Sequence, residues 1–576
     1  MTLISGNEAI ALGAAEAGCS FATAYPGTPS TEILEAVIRR HREIKSQWAV
    51  NEKVALEVGY GACLAGARTM VCMKQVGLNV AADPFFTISY TGVNGGLVIV
   101  SADEPGVHSS QNEQDNRNYA AFAKIPMLEP ADSQEAKEMT IFAFELSEKF
   151  DTPVLLRVTT RVCHTCSRVF PSQPKTVLLR DYVRDFRKRT MVPVNALHRH
   201  AAVEERLAAM SSFSNETPWN EITWKSRDIG MITSGVSHFH AVEAFPQYSV
   251  LKLGLSYPLP QNKIREFAEG VKQIYIVEEN DPFIENQVRG MNLPCEIHGK
   301  DMLPVVGELS PEKISCGFKG KRSLKSGLSD DAIKRLPVFC PGCPHRGSFY
   351  LLKKHADVIT GDIGCYGLAA LPPLQCMDSI ICMGASVGMA EGFKAVRPES
   401  RVIGVLGDST FFHSGLTGLL DIVSNRSGAK IAVLDNATTA MTGHQPHPGS
   451  PCDSHGKERK PVDPARLIEA AGICMEVLDP LNLKESAAGL ERIMSLPEPA
   501  VAVFRSACAL LPEVRAMKRP SLRIFQDECV NCGLCLTLLC PAMEKGDKPV
   551  IRDFLCSGCG LCAQVCPKKA IRGGDL

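Results

Sequence analysis

Eight cysteines near the C-terminal end fall into two quartets, Cys529, Cys532, Cys535, Cys540 and Cys556, Cys559, Cys562, Cys566, and each quartet ends in Cys-Pro. The spacing CxxCxxC puts three thiolates on a tight turn, where they can hold three corners of a [4Fe–4S] cube. In two-cluster folds the fourth, proline-followed cysteine crosses to the other cube. The expected sets are therefore Cys529, Cys532, Cys535, Cys566 and Cys556, Cys559, Cys562, Cys540. Zinc needs four thiolates at paired CxxC spacing, which a repeated triplet fits poorly. The quartets are unequal: four residues separate Cys535 from Cys540, but three separate Cys562 from Cys566. The longer loop predicts that the cluster taking Cys540 differs in geometry, potential or stability.

A second constellation lies upstream. RVIGVLGDS reads as a buried strand ending in Gly407-Asp408-Ser409, and IAVLDNATT as another ending in Asp435-Asn436. A strand-end glycine lets backbone amides approach a phosphate at a helix N-terminus. Asp408 and Asn436 offer hard oxygen ligands for a Mg²⁺ that bridges a diphosphate, with the Thr438 carbonyl as a third. A generic nucleotide-phosphate site is the alternative. The CxxC of Cys340 and Cys343, followed by Gly361-Asp362-Ile363-Gly364-Cys365-Tyr366, reads alone as a redox pair or half of a zinc site.

Nearer the N-terminus, Asn51 to Ala62 reads as a helix carrying Glu52 and Glu57, which lie on different faces. Glu57 is taken as structural. The turn Tyr25-Pro26-Gly27-Thr28-Pro29-Ser30-Thr31 feeds a helix with Ser30 or Thr31 as N-cap. The polar loop Asp103 to Tyr119 is long for a plain connection, and such loops line sites at the ends of parallel strands. Within it Arg117 or His108 is the expected partner for a substrate carboxylate, since a guanidinium matches one bidentately. Thr28 is placed with them as a substrate contact.

These residues need elements to hold them. Short β-rich runs (TMVCMK, GGLVIVSAD, TPVLLRVTT) alternate with helical patterns over 52–66 and 133–149, which predicts α/β architecture with doubly wound parallel sheets. The strand-like runs Ile229–Thr233 and Ile274–Val277 mark a smaller α/β unit. At about 150 residues per domain, 576 residues suggest roughly four domains, too many for a simple electron carrier. A net charge of −1 gives no field that argues for nucleic acid or a membrane surface. The first residues lack a basic segment followed by an apolar core, and no apolar run reaches the length of a span. A cytoplasmic location is expected, and there twenty-three cysteines favour metal ligation over disulfides.

The cysteine quartets resemble a bacterial two-cluster ferredoxin module. Together with YPGTPST, NEKVALEVGYGA, KQVGLNVAADP, SSQNEQDNR, FCPGCPHR, GDIGCY and GDS…DNATTAMTGHQPHPG, they make the chain similar, nearly end to end, to the large (α) subunits of the indolepyruvate branch of the thiamine diphosphate-dependent 2-oxoacid:ferredoxin oxidoreductases. That resemblance implies a division into a pyrimidine-binding thiamine diphosphate domain (1–170), a helical connector (171–227), a transketolase C-terminal-like domain (228–310) and a linker (311–335). A diphosphate- and Mg²⁺-binding domain (336–515) and a ferredoxin domain with two [4Fe–4S] clusters (520–576) follow. It implies that Glu52 hydrogen-bonds the aminopyrimidine ring, where a buried carboxyl can share a proton with the heterocycle. Gly407, Asp408, Ser409, Asn436 and Thr438 then bind the cofactor and its Mg²⁺. Ser409 stands where many relatives have glycine. Cys340, Cys343, Cys365 and Cys508 occupy the places of a third [4Fe–4S] cluster.

The implied activity is oxidative decarboxylation of an aryl 2-oxoacid, indole-3-pyruvate foremost. Coenzyme A takes the acyl group, electrons pass to ferredoxin, and a smaller β subunit is the partner. Two other classes compete: a non-oxidative thiamine decarboxylase, which has no use for a ferredoxin module, and a non-catalytic electron-transfer subunit, which has no use for Glu52 or the Asp408/Asn436 pair.

Overall fold

The structure, a computed structural model, describes residues 1–320, 337–372, 374–517 and 519–573. The chain divides into two units, Met1–Ala332 and Ile333–Leu576. Both are α/β, and their large sheets are mostly parallel.

The first unit is built on a seven-stranded sheet in the order Leu255–Tyr257, Met127–Leu128, Val154–Thr159, Leu97–Asp103, Thr69–Lys74, Phe21–Ala24, Lys45–Trp48. Only the Leu255–Tyr257 edge is antiparallel. The runs TMVCMK, LVIVSAD and VLLRVT are buried at every position, as strands covered on both faces must be. Alternation divides their side chains. Met70 and Cys72 pack with Ile10, Met139 and Phe144 on one face, while Val71 and Met73 pack with Leu56 and Phe85 on the other. Helix Glu52–Leu64 starts where the Asn51 side chain accepts the Val54 amide at 2.8 Å, and Ser133–Phe150 starts where Asp132 accepts the Glu135 amide at 2.9 Å.

A five-stranded sheet, Glu296–His298, Gln273–Val277, Ser226–Ser234, Tyr248–Leu253 and Asn220–Thr223, completes this unit. Its Asn220–Thr223 edge is antiparallel and comes from the stretch read as a connector, which otherwise holds the helix Pro193–Glu216. The stretch read as a linker opens with a helix, Pro311–Phe318, capped by Ser310. Residues 321–335 lie outside the described residues. The Ser30 hydroxyl does not cap its helix, because it bonds back to the Gly27 carbonyl at 2.8 Å while Thr31 Oγ1 accepts the Gly27 amide at 2.9 Å.

The second unit carries a six-stranded, wholly parallel sheet in the order Ser379–Ile380, Val358–Gly361, Val402–Gly407, Lys430–Asp435, Ala500–Arg505, Cys474–Leu478. Parallel pairing brings four strand ends to one edge: Gly361, Gly407, Asp435 and Arg505. The edge outside the carboxyl ends of such strands is where α/β sheets place their ligands. The cysteine-rich segment contributes two short antiparallel pairs, Leu522–Ile524 with Ile571–Gly573 and Met543–Glu544 with Val550–Ile551. It is anchored in the unit's core by Leu538 and Leu561, which pack with Phe339 and Phe349. Among the described residues no helix is long and apolar enough to cross a membrane.

Candidate active site and thiol clusters

Asp408 is the first residue of a helix that leaves strand Val402–Gly407 and passes through a π-helical turn at Phe411–Gly415. Such turns recur at functional sites. Its carboxylate is buried. One oxygen accepts the Ser409 amide at 2.8 Å, and the other accepts the amides of Asn436 at 3.0 Å and Ala437 at 2.7 Å. Asp408 and Asn436, 28 positions apart in sequence, meet because their strands are neighbours, with Gly407 beside Leu434. Ala437 turns the chain with φ +67°, and Thr438 donates its amide to Asn436 Oδ1 at 3.2 Å. The Ser409 hydroxyl accepts a bond from Thr439 at 3.0 Å and so ties the two turns together. A carboxylate, a side-chain amide oxygen and a backbone carbonyl make a hard donor set that fits Mg²⁺ and a diphosphate.

Two histidines face this turn that the sequence did not single out. His447 Nε2 lies 3.2 Å from Asp408 Oδ2, and His345 Nε2 lies 3.3 Å from Asn436 Nδ2. Burial pushes the His345 imidazole down to about 4, against the opposing pull of Asp408, so it stays neutral at physiological pH. Beside it, Asp362 accepts from the Tyr366 hydroxyl and, at 2.9 Å, from the Gly384 amide, which fixes the loop that carries Cys365.

The four thiols of Cys340, Cys343, Cys365 and Cys508 are brought together at this edge. Cys343, Cys365 and Cys508 each lie in the electrostatic field of Cys340, and Cys365 and Cys508 also feel Asp408. The Cys508 amide donates to the Asn436 carbonyl at 3.0 Å, so this group adjoins the diphosphate turn. In the C-terminal segment, Cys529, Cys532, Cys535 and Cys566 line one pocket. Cys562 and Cys540 interact with Cys556 and Cys559, and Cys562 also with Cys535 of the neighbouring set. Among the described residues no three His, Cys, Asp or Glu side chains converge as a single ion demands. Thiols ringing a cavity fit a cube better than a lone zinc.

In the first unit Glu52 is the first residue of its helix and is 6% exposed. Its side chain lies against Gly77, where a Cβ would come within 2.7 Å of Glu52 Cγ and Oε1. Glu57 pairs with Lys53 on the exposed face. Thr28 sits where its carbonyl accepts from Ser109 Oγ at 3.4 Å. Lys74, at the end of its strand, donates at 2.9 Å to both oxygens of Ser109 and lies 3.3 Å from the fully buried Glu104 carboxylate. A lysine closing an otherwise apolar strand was the sequence signal for that buried pair. His108 is exposed, 3.6 Å from Glu308.

Arg117 corrects the sequence expectation. Its guanidinium is buried and held by the carboxylates of Asp115 and Glu278, with the Glu279 carbonyl at 2.8 Å and the Asp281 carbonyl at 3.1 Å. This side chain is committed to joining the 103–119 loop to the second sheet and is not presented to a substrate carboxylate. The reason is Glu278, which sits at the end of strand Gln273–Val277 and accepts the amides of Ile284 and Glu285 at 2.9 and 3.0 Å.

Comparison with known proteins places the chain among thiamine diphosphate enzymes with a 4Fe-4S segment. The thiamine pyrophosphate enzyme C-terminal binding domain matches residues 362–504, and the thiamine diphosphate-binding region of pyruvate flavodoxin/ferredoxin oxidoreductases matches 12–219. A 4Fe-4S binding domain matches 549–572. The indolepyruvate oxidoreductase subunit IorA of Archaeoglobus fulgidus is 38% identical, covering 98% of this chain and 96% of its own length. The subunit IorA of Methanothermobacter marburgensis is 37% identical, with 98% and 96% covered, and that of Pyrococcus abyssi 37% identical, with 100% and 97% covered. A solved 2-oxoglutarate:ferredoxin oxidoreductase from Magnetococcus marinus is 18% identical with a TM-score of 0.46, covering 55% of this chain and 65% of that one. With 38% identity sustained over essentially its whole length, the chain belongs to the indolepyruvate oxidoreductase large-subunit family of thiamine diphosphate-dependent 2-oxoacid oxidoreductases.

Proposed function

We propose that this chain is the large subunit of an enzyme that oxidatively decarboxylates an aryl 2-oxoacid, indole-3-pyruvate foremost, gives the acyl group to coenzyme A and delivers electrons to ferredoxin. A smaller subunit completes it, and it works in the cytoplasm. The observation that carries this reading is the junction of the Asp408/Asn436 turn with the Cys340/Cys343/Cys365/Cys508 group, joined through the Cys508 amide at 3.0 Å from the Asn436 carbonyl. Electron exit begins beside the diphosphate turn.

Thiamine diphosphate, when bound, supplies the electron sink for decarboxylation. Asp408, Asn436 and the Thr438 carbonyl would hold a Mg²⁺ whose charge neutralises the diphosphate. His345, kept neutral by burial, stands against Asn436 and adds no competing charge. Glu52 would hydrogen-bond the aminopyrimidine and relay a proton to and from it, and Gly77 leaves the room that this carboxyl needs. The three thiol groups hold three [4Fe–4S] centres, and the outermost, which includes the exposed Cys532, is the exit toward ferredoxin. Lys74 adjoins the turn read as a substrate contact, since it donates to Ser109, whose hydroxyl donates to the Thr28 carbonyl.

A panel of 2-oxoacids assayed anaerobically with ferredoxin and coenzyme A, on the chain purified with its smaller subunit, tests the reading. Ferredoxin reduction with indole-3-pyruvate above aliphatic 2-oxoacids is expected. Release of aldehyde without ferredoxin reduction would favour a non-oxidative decarboxylase instead.

A further inference from the structure

Arg346, the second residue of helix His345–His355, is 4% exposed. Its Nη1 donates to the carbonyls of Leu538 and Leu539, the latter at 2.6 Å, and its Nη2 to those of Phe339 at 2.9 Å and Cys340 at 3.2 Å. The guanidinium also lies 5.8 Å from the centre of the Phe339 ring. Among the described residues no carboxylate pairs with it, and its buried Nε–H has no protein acceptor. Burying a cation without a counter-charge is strongly unfavourable. Through the carbonyls of Cys340 and of Leu539, the residue before Cys540, it sits between two cysteine-bearing turns, and the groups that favour its charge against burial are the thiols of Cys540, Cys343, Cys559 and Cys340, drawn two from each of two quartets.

We infer that Arg346 is the shared counter-ion of two iron–sulfur centres, those of Cys340/Cys343/Cys365/Cys508 and Cys540/Cys556/Cys559/Cys562, and that it holds both reduction potentials up. This rests on the reading that both quartets carry cubes. A cube with four thiolates is an anion, and reduction adds one more negative charge. A fixed cation between two such groups favours the reduced form of each and weakens their mutual repulsion. The orphan Nε–H supplies a donor of the kind whose bonds to cluster sulfur raise the potential. The same side chain accounts for the longer Cys535–Cys540 loop. Leu539, with φ +54°, is the residue before Cys540, and Arg346 takes its carbonyl together with that of Leu538. The loop is thereby tied to the turn that presents Cys340 and Cys343. Gly342 fits the same junction, because at φ +75° its missing Cβ leaves room for Ser557 of the second quartet.

The test uses the anaerobic complex and reads iron content and midpoint potentials, the latter by redox titration followed by electron paramagnetic resonance. In Arg346→Gln the two centres flanking the guanidinium should each lose at least tenfold in the reduction equilibrium, a fall of about 59 mV for one electron. The Cys529/Cys532/Cys535/Cys566 centre should keep its potential. Arg346→Lys, which keeps the charge, should stay near the unsubstituted protein. Unchanged potentials in an iron-replete Arg346→Gln protein, or an equal shift of all three centres, would overturn the inference. If Arg346→Gln loses iron, Arg346→Lys decides: full iron at near-normal potentials supports the counter-ion, and loss of iron there too refutes it. A count of about eight irons in the unsubstituted complex would instead refute the inner centre on which the inference stands.

Discussion

The Asp408 carboxylate is held in place by three amides, so replacing it by alanine removes the proposed Mg²⁺ ligand and leaves the strand intact. Asp408→Ala is expected to lose bound thiamine diphosphate and turnover while its iron content stays the same, which cofactor extraction and iron analysis measure. Glu52→Gln should still bind the cofactor but slow hydrogen exchange at its thiazolium C2 by about a hundredfold or more, the usual worth of a positioned proton donor. Arg117 belongs to a different class. Arg117→Met leaves Asp115 and Glu278 buried without their cation, and a loss of about 3–5 kcal/mol is expected, read from the denaturant midpoint. Burial opposes ionisation of Asp115, but Arg117 and Arg157 outweigh it and hold the carboxyl at about 2. A depressed carboxyl gives stability above its ordinary 3.8 that is lost as pH falls through about 2, so Arg117→Met should show a weaker acid dependence there. Asp103 works the other way. Burial raises it to about 6, and its contribution fades as pH rises through that value.

At the scale of elements, the sequence showed the strands better than their partners. TMVCMK and LVIVSAD are legible because strands covered on both faces must be apolar throughout, and the GDS and DN ends are legible because loops at strand ends carry the chemistry. Arg117 was misread because a polar loop looks solvated until the residue it pairs with, Glu278, is seen at the end of a strand in another sheet. The helix at Pro311–Phe318 was hidden by its neighbours, the lysines and glycines that follow it. His345 needed the fold, since nothing in CPGCPHR says that its imidazole turns toward Asn436. Gly77 is the element-scale counterpart of Glu52. Gly77→Ala puts a methyl where the Glu52 carboxylate lies, so C2 exchange should slow about tenfold or more with Glu52 itself unaltered. An exchange rate equal to that of the unsubstituted enzyme would mean that the carboxylate does not need this position.

For the whole molecule, the proposal puts cofactor chemistry and electron exit in one chain, with the Cys340, Cys540 and Cys529 groups as successive carriers leading from the Asp408 turn. Three cubes require about twelve irons per chain. Cys556→Ala should spare the first decarboxylation but block multiple-turnover ferredoxin reduction, which separates the chemistry from its exit. The most direct test mixes indole-3-pyruvate with the anaerobic complex in the absence of coenzyme A, ferredoxin and any external reductant, and follows the iron–sulfur absorbance. Bleaching by the 2-oxoacid alone is the predicted result, and an unchanged absorbance while indole-3-pyruvate is consumed would contradict the account.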